Sequence, residues 1–119
     1  MRKPDTKKEG DRGESMAAEY LKGREFLILE RNYRYQRGEI DIIARDGNEL
    51  VFVEVKTRRS QAFGTPEESI TSRKEELLKR TAEGYCFEHQ IDQTPCRFDV
   101  VAVEQKINGI EIRHIKDAF

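Results

Sequence analysis

A chain of 119 residues suits one domain around one core. Its 22 Lys plus Arg against 23 Asp plus Glu exclude a whole-protein basic field that would drive strong nonspecific nucleic-acid binding, but they leave room for a local basic groove. No apolar run is long enough for a membrane span and no signal-peptide pattern is present, while Cys86 and Cys96, without metal-type spacing, suit a reduced cytoplasmic protein better than a disulfide scaffold.

Residues 1–10 are charged and poor in hydrophobic side chains, which predicts a mobile tail ahead of a single domain over residues 11–119. Ala17, Ala18, Tyr20 and Leu21 have helical spacing, so residues 13–22 read as a helix with Gly23 as its stop. Residues 26–34 read as a first strand. Residues 38–43 and 51–56 read as a hairpin around Asp46, Gly47 and Asn48. Gly, Pro and Ser mark residues 59–66 as a loop, expected to be mobile and to order over nucleic acid. A long helix is expected from residue 67 or 72 to 89, with Leu77, Leu78, Ala82, Tyr85 and Cys86 on one stripe. Residues 98–103 make a fourth strand, Asn108-Gly109 signals a second hairpin, and residues 110–115 make a fifth strand. The order α-β-β-β-α-β-β predicts an α/β fold. Three antiparallel strands come first, and the long helix crosses over to return strand four parallel to strand three.

The first hairpin carries unusual charge. Side chains alternate faces along a strand, so Glu39, Asp41 and Ile43 share one face, as do Phe52, Glu54 and Lys56. Ile40, Ile42, Val51, Val53 and Val55 are expected to point the other way. A Gly47-Asn48 loop sets Asp41 opposite Glu54 and Glu39 opposite Lys56; an Asp46-Gly47 loop sets Asp41 opposite Phe52 and diagonal to Glu54. Either register keeps the four polar groups on one face, with cross-strand neighbours about 5 Å apart. Unpaired charge among Ile, Val and Phe is costly, and a divalent metal could neutralise several carboxylates at once.

Asp41 with Glu54-Val55-Lys56 resembles the PD-(D/E)xK nuclease superfamily, although Ile40 stands where the namesake proline would be. The frame is wider: Gly13-Glu14, Ala17-Ala18, Tyr20-Leu21, Arg31-Asn32-Tyr33-Arg34, Phe63-Gly64, Lys74 and Arg97-Phe98-Asp99-Val100-Val101. Together these residues look like the small, uncharacterised bacterial YraN family, similar in fold to archaeal Holliday-junction resolvases. The resemblance implies a restriction-endonuclease-like fold and a metal-dependent nuclease acting on structured or branched DNA as a homodimer. It implies Mg²⁺ or Mn²⁺ held by Asp41, Glu54 and the Val55 carbonyl, with Lys56 positioning water or neutralising phosphate. A nucleic-acid-binding module with a vestigial or partner-dependent site is the alternative, since fold alone does not establish activity.

Other residues carry open alternatives. Glu14 either joins the site or complements the dipole of the first helix. Glu39 is either an outer-shell ligand or an ion-pair partner of Lys56 or Arg37. Arg31, Arg34 and Arg37, interleaved with Tyr33 and Tyr35, suit phosphate binding and base stacking; the other reading is a polar strand end with its tyrosines in the core. Arg58 adds charge to the same cleft, and Lys74 either touches the site or faces solvent. His89 and His114 share no ligand spacing and read as surface or half-buried residues, and Asp99 reads as structural.

Overall fold

Alternating and continuous apolar runs organise the chain into one five-stranded sheet between two helices. A computed structural model describes residues 6–59 and 70–119, with side chains from residue 11 onward. The elements are α1 (Thr6–Gly23), β1 (Leu27–Tyr35), β2 (Gly38–Asp46), β3 (Glu49–Arg59), α2 (Ser72–Glu88), β4 (Cys96–Lys106) and β5 (Gly109–Ile115). Strand order in the sheet is β1-β2-β3-β4-β5. Only the β3–β4 pair is parallel, because α2 carries the chain back across the sheet between them. The expected element order and mixed sheet are therefore the observed ones.

The start of α1 differs from expectation. Helix α1 begins at Thr6, inside the segment expected to be a tail. Lys7, Lys8 and Glu9 are good helix formers, and extending a nucleated helix needs no apolar stripe. Residues 1–5 lie outside the described residues, as does the expected loop beyond Arg59. Helix α1 stops at Gly23 as expected, and Glu25, two residues beyond, takes a left-handed φ of 70°. Phe26 N–H then bonds Leu21 C=O and Glu25 N–H bonds Lys22 C=O, a Schellman ending without its usual glycine. Helix α2 starts on a side-chain cap: Thr71 Oγ1 accepts the Lys74 N–H at 3.2 Å.

The central strands are buried on both faces, which explains their near-continuous Ile and Val. On the α1 side Ala17, Ala18, Leu21 and Phe26 pack on Ile42, Ala44, Val51, Val53, Val101 and Val103. On the α2 side Leu78, Ala82 and Tyr85 pack on Tyr33, Ile40, Ile43, Leu50 and Phe52. Ile40 and Ile42 thus sit on opposite faces, contrary to simple alternation, so β2 changes face at Asp41. Asn32, opposite Asp41, takes a left-handed φ of 55°, and the β1–β2 register runs Arg31↔Ile42 and then Tyr33↔Ile40. Asn tolerates that conformation better than other side chains with a Cβ.

Helix α2 rides close over the sheet at Gly38. A Cβ there would lie 1.7 Å from Thr81 Oγ1 and 2.9 Å from Thr81 Cβ. Gly38→Ala is expected to cost about 1–3 kcal/mol by overpacking. Thr81→Ala in the same chain should recover part of that loss in urea melts. Equal stability of Gly38→Ala and wild type would show that α2 is free to move away.

A second polar cluster ties the far end of the sheet. Asp99, fully buried, accepts hydrogen bonds from Arg97 Nε at 3.0 Å and from Asp117 N–H at 3.0 Å, and lies 2.7 Å from His114 Nε2. His114 is half-buried, one of its two expected placements, with its side chain 5% exposed and edge-on to Tyr20 and Phe26. Arg97 also reaches Asp46 and Glu49 at the β2–β3 turn. Asp99 is thus the hub of a structural network.

Candidate active site at a split in the sheet

The β2–β3 ladder runs from Asp46↔Glu49 to Ile42↔Val53, so Gly47-Asn48 is the loop, with Gly47 at φ 61°. This is the register that sets Asp41 across from Glu54. The regular pairing ends there. Asp41 Oδ2 accepts the Val55 N–H at 2.8 Å, so a side-chain carboxylate stands where a backbone carbonyl would continue the ladder. Val55 enters the site through this amide.

Two further carboxyl groups, Glu54 and Glu14, act on Asp41 at the split. Asp41 is hydrogen-bonded to Glu14 of α1 and feels the charge of Glu54 from β3. Burial, then the Glu54 charge, then Glu14 push the Asp41 carboxyl up to about 8, against the opposing pull of the Val55 N–H. Glu14 is also raised, chiefly by burial, despite hydrogen bonds from Asp41 and Asn32 and the Arg31 charge. Its Oε2 is buried, accepts no hydrogen bond among the described residues, and lies 3.9 Å from Arg31 Nη2. Glu14 therefore faces the site; a dipole role in the first helical turn is ruled out, because α1 starts at Thr6.

Glu54 is 7% exposed and is held by two ammonium groups, Lys74 Nζ at 3.1 Å and Lys56 Nζ at 3.7 Å. Lys74 thus reaches the site from the first turn of α2. Among the described residues, no three His, Cys, Asp or Glu side chains are gathered as a ready-made ligand set. The donors present are nonetheless hard carboxylate oxygens, and the buried Glu14 Oε2 is left without a hydrogen bond among the described residues. Mg²⁺ is held through one or two carboxylates and keeps several waters, so the Asp41–Glu54 pair with Glu14 nearby fits that ion without a complete protein cage.

The remaining expected residues divide. Arg31 lies at the site, donating to Ser15 Oγ at 3.2 Å beside Glu14. Arg34 is exposed and pairs with Glu39 across the β1–β2 ladder at 3.8 Å. Glu39 is exposed and pairs there, rather than with Lys56 or Arg37 as expected, because the face change at Asp41 turns it away from Lys56. Arg37 is also exposed and lines a separate cavity with Leu77 and Arg80. Arg58 lines a cavity with Arg12 on the α1 side. Tyr33 is buried, bonded to Glu88 and edge-on to Tyr85, while Tyr35 packs over Gly84. Tyr33 is therefore core, which removes it from base stacking, while Tyr35 is half-buried. Asn32 escapes sequence reasoning; its only signal is an Asn within a strand, a residue suited to positive φ.

The acid–base linkage of Asp41 gives a test. Its folded value lies above its ordinary value of 3.8, so its protonated form is favoured in the fold. The associated stability is fully present below about pH 4 and is lost as pH rises toward 8. An asparagine side chain at this position can accept the Val55 N–H and donate to Glu14, as protonated Asp41 does. Asp41→Asn should therefore raise metal-free stability at pH 8 by roughly 2 kcal/mol and leave it little changed at pH 4. A stability difference that is the same at both pH values would contradict the assigned charge state.

Comparison with known proteins gives the family. The model of the uncharacterised protein family UPF0102 matches residues 13–103, which include Glu14, Asp41, Glu54, Lys56 and Lys74. A UPF0102 protein from Geotalea uraniireducens is 49% identical over 116 residues, covering 97% of this chain and 91% of that protein. UPF0102 proteins from Geotalea daltonii and Chlorobaculum parvum are each 48% identical, covering 98% and 92% of this chain and 93% and 90% of their own lengths. The match spans the split strands and both helices, and this chain belongs to the UPF0102 family.

Proposed function

We propose that this protein is a metal-dependent nuclease of the PD-(D/E)xK, restriction-endonuclease-like type that hydrolyses phosphodiester bonds in structured or branched DNA. The carrying observation is the split between β2 and β3, where Asp41 takes the Val55 N–H and faces Glu14 and Glu54. Asp41 and Glu54, with Glu14 behind them, would hold Mg²⁺ or Mn²⁺. A bound divalent ion supplies Lewis acidity toward water and phosphate. Lys56 neutralises charge developing on the phosphate or orients the attacking water, and it is a poor general base while charged. Lys74, 3.1 Å from Glu54, orients its carboxylate. Arg31 flanks the split, Arg58 lines the cavity on the α1 side, and Arg34 and Arg37 extend positive charge along β1 and its turn, where they can neutralise backbone phosphates. A homodimer would bring two such sites to a symmetric junction, in a reducing cytoplasm. No described helix is long and apolar enough to cross a membrane.

One observation favours a binding module instead. Glu54 is already paired with two lysines, and no three-donor group is assembled among the described residues. Incubation of the protein with labelled four-way junction, flap, duplex and single-stranded DNA, in Mg²⁺, Mn²⁺ or EDTA, separates the two. The nuclease reading expects metal-dependent cuts near the branch. Tight junction binding with no cleavage under either metal would establish the binding module.

A further inference from the structure

A cavity of about 180 Å³ opens between α1 and the sheet, against the C-terminal parts of β3 and β4. Gly13 and Thr57 form part of its wall, and each is the chain neighbour of a site residue, Glu14 and Lys56. At Gly13 a Cβ would lie 2.1 Å from Thr57 Oγ1, so only glycine lets α1 close that end of the cavity. Three arginines line it, Arg12, Arg58 and Arg59, and no carboxylate is among its described lining residues. That is a strong local bias in a chain of net charge −1. The rest of the lining is largely apolar, with Met16 and Ile110 among it, and Gln105 offers one amide donor and one acceptor group.

We propose that this cavity takes a single unpaired nucleotide of the DNA substrate, its base within the cavity and its phosphate against the arginines. The inference rests on the nuclease reading and adds the substrate feature that directs it. An anionic ligand with a flat apolar ring satisfies both halves of the lining. Guanidinium groups both bind phosphate and stack on bases. Whole-ligand pockets run to about 300–1,000 Å³, so this smaller space admits one ring system and not a base pair. Extruding a base from a duplex is unfavourable, and least so when the base is already unpaired. The site would therefore select bulges, branches and frayed ends.

The test compares two duplexes that differ by one bulged 2-aminopurine nucleotide, using fluorescence anisotropy for affinity and 2-aminopurine emission for base burial. Wild type is expected to bind the bulged duplex about tenfold more tightly and to change its emission. Ile110 is 51% exposed, so Ile110→Trp can fill the cavity mouth without disturbing the core. It should abolish the preference while leaving affinity for the perfect duplex unchanged. Gln105→Ala, which removes only the base-edge partner, should reduce the preference about threefold. Equal wild-type affinity for both duplexes would overturn the inference and leave the nuclease reading standing. A preference that survives both substitutions would also overturn it, by placing bulge recognition elsewhere. Failure to bind either duplex at low salt would sink both readings.

Discussion

Lys56→Ala is expected to reduce DNA cleavage by about 10²-fold or more while junction affinity changes only a few-fold. The substitution removes one ammonium group from beside the carboxylates but does not orphan a buried charge. Glu54 keeps Lys74 at 3.1 Å, so the buried anion stays paired and the fold should be preserved. Binding depends on several cations, and removing one lowers the salt slope by about one. Single-turnover cleavage and anisotropy on the same junction separate the two quantities. If cleavage and binding fell together by the same factor, Lys56 would be a docking residue with no role in the reaction. Lys74→Ala should behave differently, because it takes away the shorter contact to Glu54 and should lower both stability and activity.

Asp99→Ala should be the most destabilising single substitution among the polar residues, by about 3–5 kcal/mol. Burial alone would raise the Asp99 carboxyl, but His114, Arg97 and the Asp117 N–H together hold it below its usual range. Removing it leaves Arg97 with Asp46 and Glu49 only, and leaves His114 without its partner in an aromatic interior. The sign of the linkage follows from the lowered value. Asp99 contributes stability above the ordinary aspartate range and loses it as pH falls through its depressed folded value. Guanidinium melts at pH 7 and pH 3 measure both effects. A loss under about 1 kcal/mol at pH 7 would mean that Asp46 and Glu49 suffice to hold Arg97.

The hairpin is readable from sequence because its turn chemistry and period-two alternation are local. Gly47-Asn48 admits few registers, and one of them sets Asp41 across from Glu54. The crossover to β4 follows from the length of α2. Departures from regular pairing are not readable in this way. Alternation assumes an unbroken ladder, yet Asn32 is left-handed and Asp41 replaces a backbone acceptor, so Ile40 and Glu39 face other ways than parity predicts. Tyr33 is core and Tyr35 half-buried because α2 lies over them, a tertiary fact with no local signature. His114 lacks any ligand spacing, and its partner Asp99 lies on the neighbouring strand, joined only by the β4–β5 register. The start of α1 is hidden because a charged helical extension has the composition of a tail.

We propose that Asp41 and Glu54 hold a divalent ion at the split between β2 and β3. Isothermal calorimetry of Mg²⁺ and Mn²⁺ near pH 7, alone and with bound junction DNA in buffers of different ionisation enthalpy, tests it most directly. The account predicts one binding event per chain with net proton release, because the carboxyl raised to about 8 must ionise on binding. Asp41→Asn should abolish both the heat and the proton release. Absence of binding with and without DNA, or binding that Asp41→Asn leaves intact, would contradict it.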